Sequence, residues 1–212
     1  MNLTLHDLKK GISWWRKEKE EKWPQDFHNK VYYELYDMRK HGLTGKWWEN
    51  TVDRLWAWRA IRSKTRPNTK REIHEKGLEI LSNLQAYYAD ISNKAKSEPV
   101  FLEFTWAEIK AFYNKLAWIK GSSSPNFPSK LGHFIFPKLF RVMDHQATGI
   151  EDYCVSWSSM SEDWRSFNQK REAKTILKSR ILEYSKKPVH QHYPFEIKII
   201  ELCNIGRKHT DD

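Results

Sequence analysis

The chain is expected to be all-α, on three observations. Every recognisable apolar run repeats near 3.6 residues, none alternates cleanly with a period of two, and helix caps stand at the boundaries, as at Thr44, Thr105 and Gly42. The 212 residues suit one helical domain, 1–212, long enough for a sizeable core. No period of ~20–50 residues repeats, so a repeat array is not expected.

Taken in order, Leu5, Leu8, Ile12 and Trp15 keep helical spacing over about residues 4–21 in spite of Gly11, and the tail from Arg16 to Lys22 alternates in sign, as a solvated helix face does. After Pro24, a second helix carries Phe27, Val31, Leu35 and Met38 on one side, and Gly42 ends it. Thr44 caps a third helix, Lys46 to Arg62. Its core stripe is Trp48, Val52, Leu55 and Trp56, while Trp47, Arg54, Trp58 and Arg62 share an adjacent flank. Rings alternating with guanidinium groups suit base stacking and phosphate pairing. This makes Trp47 and Trp58 candidate stacking residues and Arg54 and Arg62 candidate DNA contacts. The alternative is that the rings pack under a neighbouring helix while the arginines snorkel. Ser63 to Thr69 is a basic loop with Lys64 and Arg66.

Thr69 to Asn93 reads as one long scaffold helix with Ile73, Gly77, Ile80, Leu84, Tyr87, Tyr88 and Ile91 inward. Val100, Phe101 and Leu102 suit a buried extended turn. Thr105 and Glu108 form a capping box for a helix with Trp106, Ile109, Phe112, Tyr113, Leu116 and Ile119 inward, stopping at Gly121. Pro128 suits the first position of a short helix, Ser129 to Phe136, which Pro137 stops. Asp144 is placed to N-cap a helix from His145 to Tyr153. Ser156 to Ser159 reads as a Ser/Trp loop, followed by a long helix from Ser161 to about Tyr184. On that helix Arg171, Lys174 and Lys178 fall within ~60° of one another, a ridge that either tracks a sugar-phosphate backbone or simply meets solvent. Pro194 begins a final helix packing through Phe195, Ile199, Leu202 and Cys203.

Composition narrows the partner. The 37 Lys and Arg against 27 Asp and Glu give a net charge of +10, and the pI is near 9.5, which favours a polyanion and above all nucleic acid. Mean hydropathy is −0.81 and no apolar run is long enough to span a bilayer, so no membrane partner is expected. Two cysteines, Cys154 and Cys203, form no zinc pattern and no disulfide framework, and the N-terminus carries no signal-peptide pattern. A reducing cytoplasm is the simplest location. His190 and His192 are the tightest histidine pair, but no third ligand accompanies them and no metal is expected. Motifs for nucleotide phosphates, dinucleotides and esterase nucleophiles are absent. Eleven Trp, nine Tyr and ten Phe fill cores, and a protein that unstacks bases also needs such rings.

One stretch gathers the chemistry. Lys130 stands on a short helix with His133 one turn on, a proline-bounded apolar connection follows, and Asp144 stands at the next helix start. Lys130 as a surface residue and Asp144 as a plain N-cap is the alternative reading of the pair. From about Trp106 to Ile150 the arrangement resembles the helix-hairpin-helix DNA glycosylases, with Lys120-Gly121-Ser122-Ser123-Ser124-Pro125 in the hairpin's place and one glycine where the family has two. The resemblance implies a compact helical bundle with a helix-hairpin-helix-like unit, about 105–150, at a central cleft. It implies catalytic roles for Asp144 and Lys130, and DNA contacts from Gly121, Ser122, Ser123 and His133. The function it implies is excision of a flipped-out modified or damaged base from double-stranded DNA, without lyase activity, by a monomer that uses no cofactor. Asp144 would stabilise the oxocarbenium-like sugar. The family's reach extends this to bacterial defence against phage DNA. The rival expectations are a non-catalytic basic DNA- or RNA-binding protein and a helical protein-interaction adaptor.

Overall fold

The computed structural model describes residues 2–19, 27–64, 68–144, 148–149, 152–185 and 187–209, and these are all-α, with no strand among them. In chain order the helices are α1 (Leu5–Lys19), α2 (Phe27–Arg39), α3 (Gly45–Ala57), α4 (Lys70–Glu79), α5 (Leu81–Lys94), α6 (Trp106–Lys120), α7 (Asn126–Ile135), α8 (Tyr153–Ser166), α9 (Lys170–Tyr184) and α10 (Phe195–Lys208), with a 3-10 turn at Val100–Glu103. The chain divides into two compact units: a flanking unit, Met1–Glu34 with Asp144–Asp212, and a middle unit, Leu35–Met143. No helix among the described residues is long and apolar enough to cross a membrane.

In the flanking unit α1 lies against α10 at backbone distance. A Cβ on Gly11 would fall 1.8 Å from the carbonyl oxygen of Leu202, and one on Gly206 would fall 2.0 Å from that of Asp7. Only glycine permits this approach. Thr4 and Asp7 cap α1 reciprocally, the Thr4 amide donating to Asp7 Oδ2 (2.8 Å) and the Asp7 amide to Thr4 Oγ1 (3.1 Å). Asp7 also pairs with Arg207 at 3.5 Å, and Trp14 stacks on His209 with centroids 4.3 Å apart. Asn29, buried on α2, joins that helix to the segment after α9. Its amide donates to Ser185 Oγ (2.7 Å) and the Pro188 carbonyl (3.1 Å), and its oxygen accepts the His190 N–H (3.0 Å). His190 Nδ1 in turn accepts the His192 N–H at 3.2 Å, so this pair is built into a turn. On α10, Lys198 and Glu201 form a buried ion pair at 2.7 Å.

The middle unit is built round α7. Residues Phe127 to Ile135 of this helix are all buried, which requires an apolar surround on every side and a partner for each polar group. Phe112 of α6 meets Phe140 and Phe136, and Gly132 lets the Phe140 ring lie against α7, where a Cβ would be 2.9 Å away. Nearby, the fully buried Trp48 of α3 lies on Gly77 of α4, where a Cβ would be 1.9 Å from the ring, and its Nε1–H donates to the His74 carbonyl at 2.8 Å.

Several boundaries differ from expectation. The scaffold helix from 69 to 93 is two helices, because Ile80 leaves the helical region at φ −107°, ψ 11°. Inward residues lie on both sides of the break, so periodicity hides it. The Ser/Trp loop is the middle of α8: Asp152 caps that helix by accepting the Val155 N–H (3.1 Å), and Ser159 returns its hydroxyl to the Ser156 carbonyl (3.0 Å). The break falls instead at Phe167 to Gln169, before α9. α7 starts at Asn126, with Pro128 still in its first turn. Residues 20–26, 65–67, 145–147 and 150–151 lie outside the described residues, and with them the end of the expected charged tail, Arg66 and most of the expected helix from His145.

Two outcomes follow. Gly11→Ala gains ~1 kcal/mol of helix propensity yet overpacks two backbones, which costs ~1–3 kcal/mol or more, so denaturant melts are expected to show net destabilisation. A more stable variant would contradict the close approach. Burial, with a smaller contribution from the Asp7 carboxylate, pushes the Cys203 thiol up to about 12 from 9.0, and burial followed by the Glu201 charge raises the Tyr193 phenol from 10.0. Both groups therefore hold their protons more tightly when folded. The stability they contribute is complete below pH 9 and falls as pH rises through their folded values. Denaturant midpoints measured against pH are expected to fall above 9, and more shallowly in Cys203→Ala with Tyr193→Phe.

Candidate nucleic-acid interface

The chain leaves α3 through Arg59, whose φ of 53° is the left-handed conformation that commonly ends helices. This turn presents three successive carbonyls, and each takes a cationic side chain. Lys130 Nζ donates to the Trp58 carbonyl at 2.8 Å, Arg62 Nε to that of Arg59 at 2.9 Å, and Lys120 Nζ to that of Ala60 at 2.9 Å. Carbonyls at a helix C-terminus carry partial negative charge, so cations are drawn there. Lys120 comes from the end of α6, and Lys130 from α7.

The three cations differ in exposure. Lys130 is buried, its amine 5.7 Å from the centroid of the Trp58 ring. Lys120 is half-buried, over Phe127 at 5.9 Å, and Arg62 is exposed. Burial, and then the positive charge of Arg62, lower the pKa of Lys120. Gly121 follows in the left-handed conformation at φ 62° and ends α6, with Ser122 half-buried and Ser123 exposed. Between Glu108 and Asp144 the sequence contains no acidic residue.

The expected site residues separate here. Arg62, Gly121, Ser122 and Ser123 belong to this corner or adjoin it. Lys130 does not present a nucleophile: its amine is fixed on a backbone carbonyl in the core. His133 is fully buried, and its Nδ1 lies 2.6 Å from the Phe140 carbonyl, which has no proton to give, so that nitrogen is the donor. Its expected DNA contact is corrected to a core role. So are the stacking roles of Trp47 and Trp58, 1 % and 5 % exposed. Trp58 stacks on Phe134 with centroids 4.7 Å apart, and Trp47 tilts against Trp48 at 6.1 Å. Arg54 on the same flank is half-buried. Trp56, expected in the core stripe, is 36 % exposed.

Asp144 belongs to the flanking unit and Lys130 to the middle unit. Asp144 is half-buried, and its backbone carbonyl accepts both the amide (2.9 Å) and the hydroxyl (3.0 Å) of Thr148. On α9, Arg171 and Lys178 are exposed, but Lys174 pairs with Glu196 at 2.5 Å and lies 5.9 Å from the Trp164 ring centroid. The ridge is therefore narrower than expected. Beside it an open depression of about 420 Å³ is lined by Asn168, Gln169, Arg171, Glu172 and Thr175. Lys120 was expected only as part of the segment in the hairpin's place and was given no role, although its position at the end of α6, next to a glycine, is the usual one for a cation that meets helix carbonyls. No family model, no curated protein and no solved structure matches the chain.

Lys130→Met keeps the apolar stem but strands the Trp58 carbonyl, and a buried unpaired acceptor costs ~1–3 kcal/mol. Thermal unfolding is expected to show that loss, with little change in Lys115→Met, whose lysine is exposed on α6. Equal stability of the two variants would mean that the Lys130 bond carries no weight.

Proposed function

We propose that this chain is a basic nucleic-acid-binding protein whose middle unit holds phosphate at the corner formed by Lys120, Arg62 and the turn Gly121 to Ser123. The observation that carries the reading is the crowding of like charge on three successive carbonyls. Cations held side by side repel: after burial, the larger cause, the charge of Arg62 lowers the pKa of Lys120 further, and an anion placed against the pair relieves that repulsion. Polyanions meet this need best, because each phosphate neutralised also releases condensed counterions. The net charge of +10 supports the same partner. In the flanking unit Arg171 and Lys178 are the corresponding exposed cations.

Arg62→Gln with Lys120→Gln keeps a donor at each position and removes both charges. In binding assays across a salt series, this pair is expected to weaken duplex binding and to flatten the slope of log affinity against log salt by roughly two. An unchanged slope would sink the assignment. Arg171→Gln with Lys178→Gln tests the second surface by the same measurement. Binding of the wild type also has a pH signature: because phosphate favours the charged amine, affinity is expected to fall on the alkaline side before an ordinary lysine would titrate.

Base excision is a finer reading of the same DNA-binding protein. It is supported by Asp144, half-buried and with its carbonyl engaged by Thr148, in keeping with a carboxylate at a helix start. The test is incubation with normal, damaged and phage-modified DNA followed by alkali cleavage. Fragments that disappear in Asp144→Asn, with affinity kept within a few-fold, are the expected result. The engagement of Lys130 with Trp58 supports excision without lyase chemistry, so borohydride is expected to trap no adduct at Lys130.

A further inference from the structure

The outward face of α6 carries an exposed ring that the corner just described does not use. Trp118 is 46 % exposed on a helix whose other large rings are buried, as Phe112 and Tyr113 are, or half-buried, as Trp106 is. Placed at 100° per residue, it sits near the middle of the solvent-facing arc, with Lys110 roughly 80° to one side and Lys115 roughly 60° to the other. Between them lie Ala107, Ala111 and Asn114, all exposed and short enough to leave the ring standing clear. Lys110, Asn114, Lys115 and Trp118 make no side-chain hydrogen bond, ion pair or ring contact among the described residues. The helix's one acidic residue, Glu108, is taken up by the cap at Thr105, accepting its amide at 2.7 Å and its hydroxyl at 2.9 Å.

A large ring in water is unfavourable where nothing covers it, and what covers this one has to suit the cations on both sides. A protein segment of neutral or basic character would leave the lysines repelled. Duplex DNA would satisfy the lysines, but its bases are already stacked on one another and offer the ring no face. A single strand supplies both requirements: phosphates for Lys110 and Lys115, and an unstacked base whose face lies on the indole. Resting on the nucleic-acid reading above, we infer that Trp118 is a stacking platform for an unpaired nucleobase, flanked by Lys110 and Lys115 as backbone contacts. The surface therefore prefers single-stranded DNA or RNA.

The test uses the full chain with four probes: a short thymidine oligomer, the uridine oligomer of equal length, the same DNA backbone without bases, and a blunt duplex. Trp118→Ala is expected to weaken binding to both base-bearing strands by about tenfold, within the range of one aromatic stack, while the baseless strand and the duplex change little. The salt slope is expected to stay the same, because no charge is removed. Trp118→Phe is expected to recover most of the loss. The thymidine and uridine arms show which strand the surface prefers. Unchanged affinity of Trp118→Ala for base-bearing strands, or an equal loss on the baseless strand, would overturn the stacking role while leaving the phosphate corner intact. A Trp118→Ala change in sedimentation mass without any change in strand affinity would place the ring between copies of the chain instead, and would also overturn it. Wild-type protein that binds none of the four probes would remove both readings.

Discussion

The bond from the Lys130 amine to the Trp58 carbonyl is the interaction on which the middle unit depends. α7 is buried along almost its whole length, and a helix so placed brings polar groups into a dry interior where each needs a partner. Its side chains find backbone groups of the neighbouring turns, and its last carbonyls are met by the Arg39 side chain of α2. Ser129 Oγ accepts the Met143 N–H at 3.1 Å, His133 meets the Phe140 carbonyl, and Arg39 donates to the carbonyls of Phe134 and, at 3.0 Å, Ile135. The non-helical stretch after α7 is thus held by α7's own side chains. Lys130 does the same for the turn after α3, and so fixes the place where Lys120 and Arg62 come together.

The all-α class was legible because it rests on local chemistry: the 3.6 period, the reciprocal cap of Thr105 and Glu108, and the left-handed glycine at 121. The short helix at 128–136 was legible nearly to its ends for the same reason. What could not be read was which side of a helix is covered. Trp47, Trp48, Trp56 and Trp58 are four similar rings within twelve residues, and only the arrival of α4 and α7 decides that Trp56 is the one left in water. The same holds for polar residues. Lys130 and His133 were given site roles through the resemblance, yet their partners are the Trp58 and Phe140 carbonyls, which sequence does not mark. Gly11 read as a blemish in a helix because its reason lies on α10.

Net charge predicts a polyanionic partner but not where it binds. Several exposed cations are already neutralised, as Lys70 is by Asp53 and Lys138 by Glu98, both at 2.5 Å. The middle unit leaves others, such as Lys110 and Lys115, unneutralised, since the sequence from Ile109 to Met143 carries no acid. Charge excess is thereby concentrated where rings, small side chains and a tight turn also occur. A distribution of this kind favours fast electrostatic capture of a strand, with contact geometry deciding how long it stays.

The glycine contact between α1 and α10 joins segments from opposite ends of the described chain, and this sets an order of assembly. α1 is synthesised before the surface it packs on, which is not made until α10 emerges. The middle unit is one continuous stretch, Leu35–Met143, and meets no such delay. Closing the long loop between α1 and α10 costs less once the residues between them are already compact. Until then α1 keeps its apolar side, with Leu5 and Leu8, uncovered during synthesis, a window in which a chaperone has something to hold.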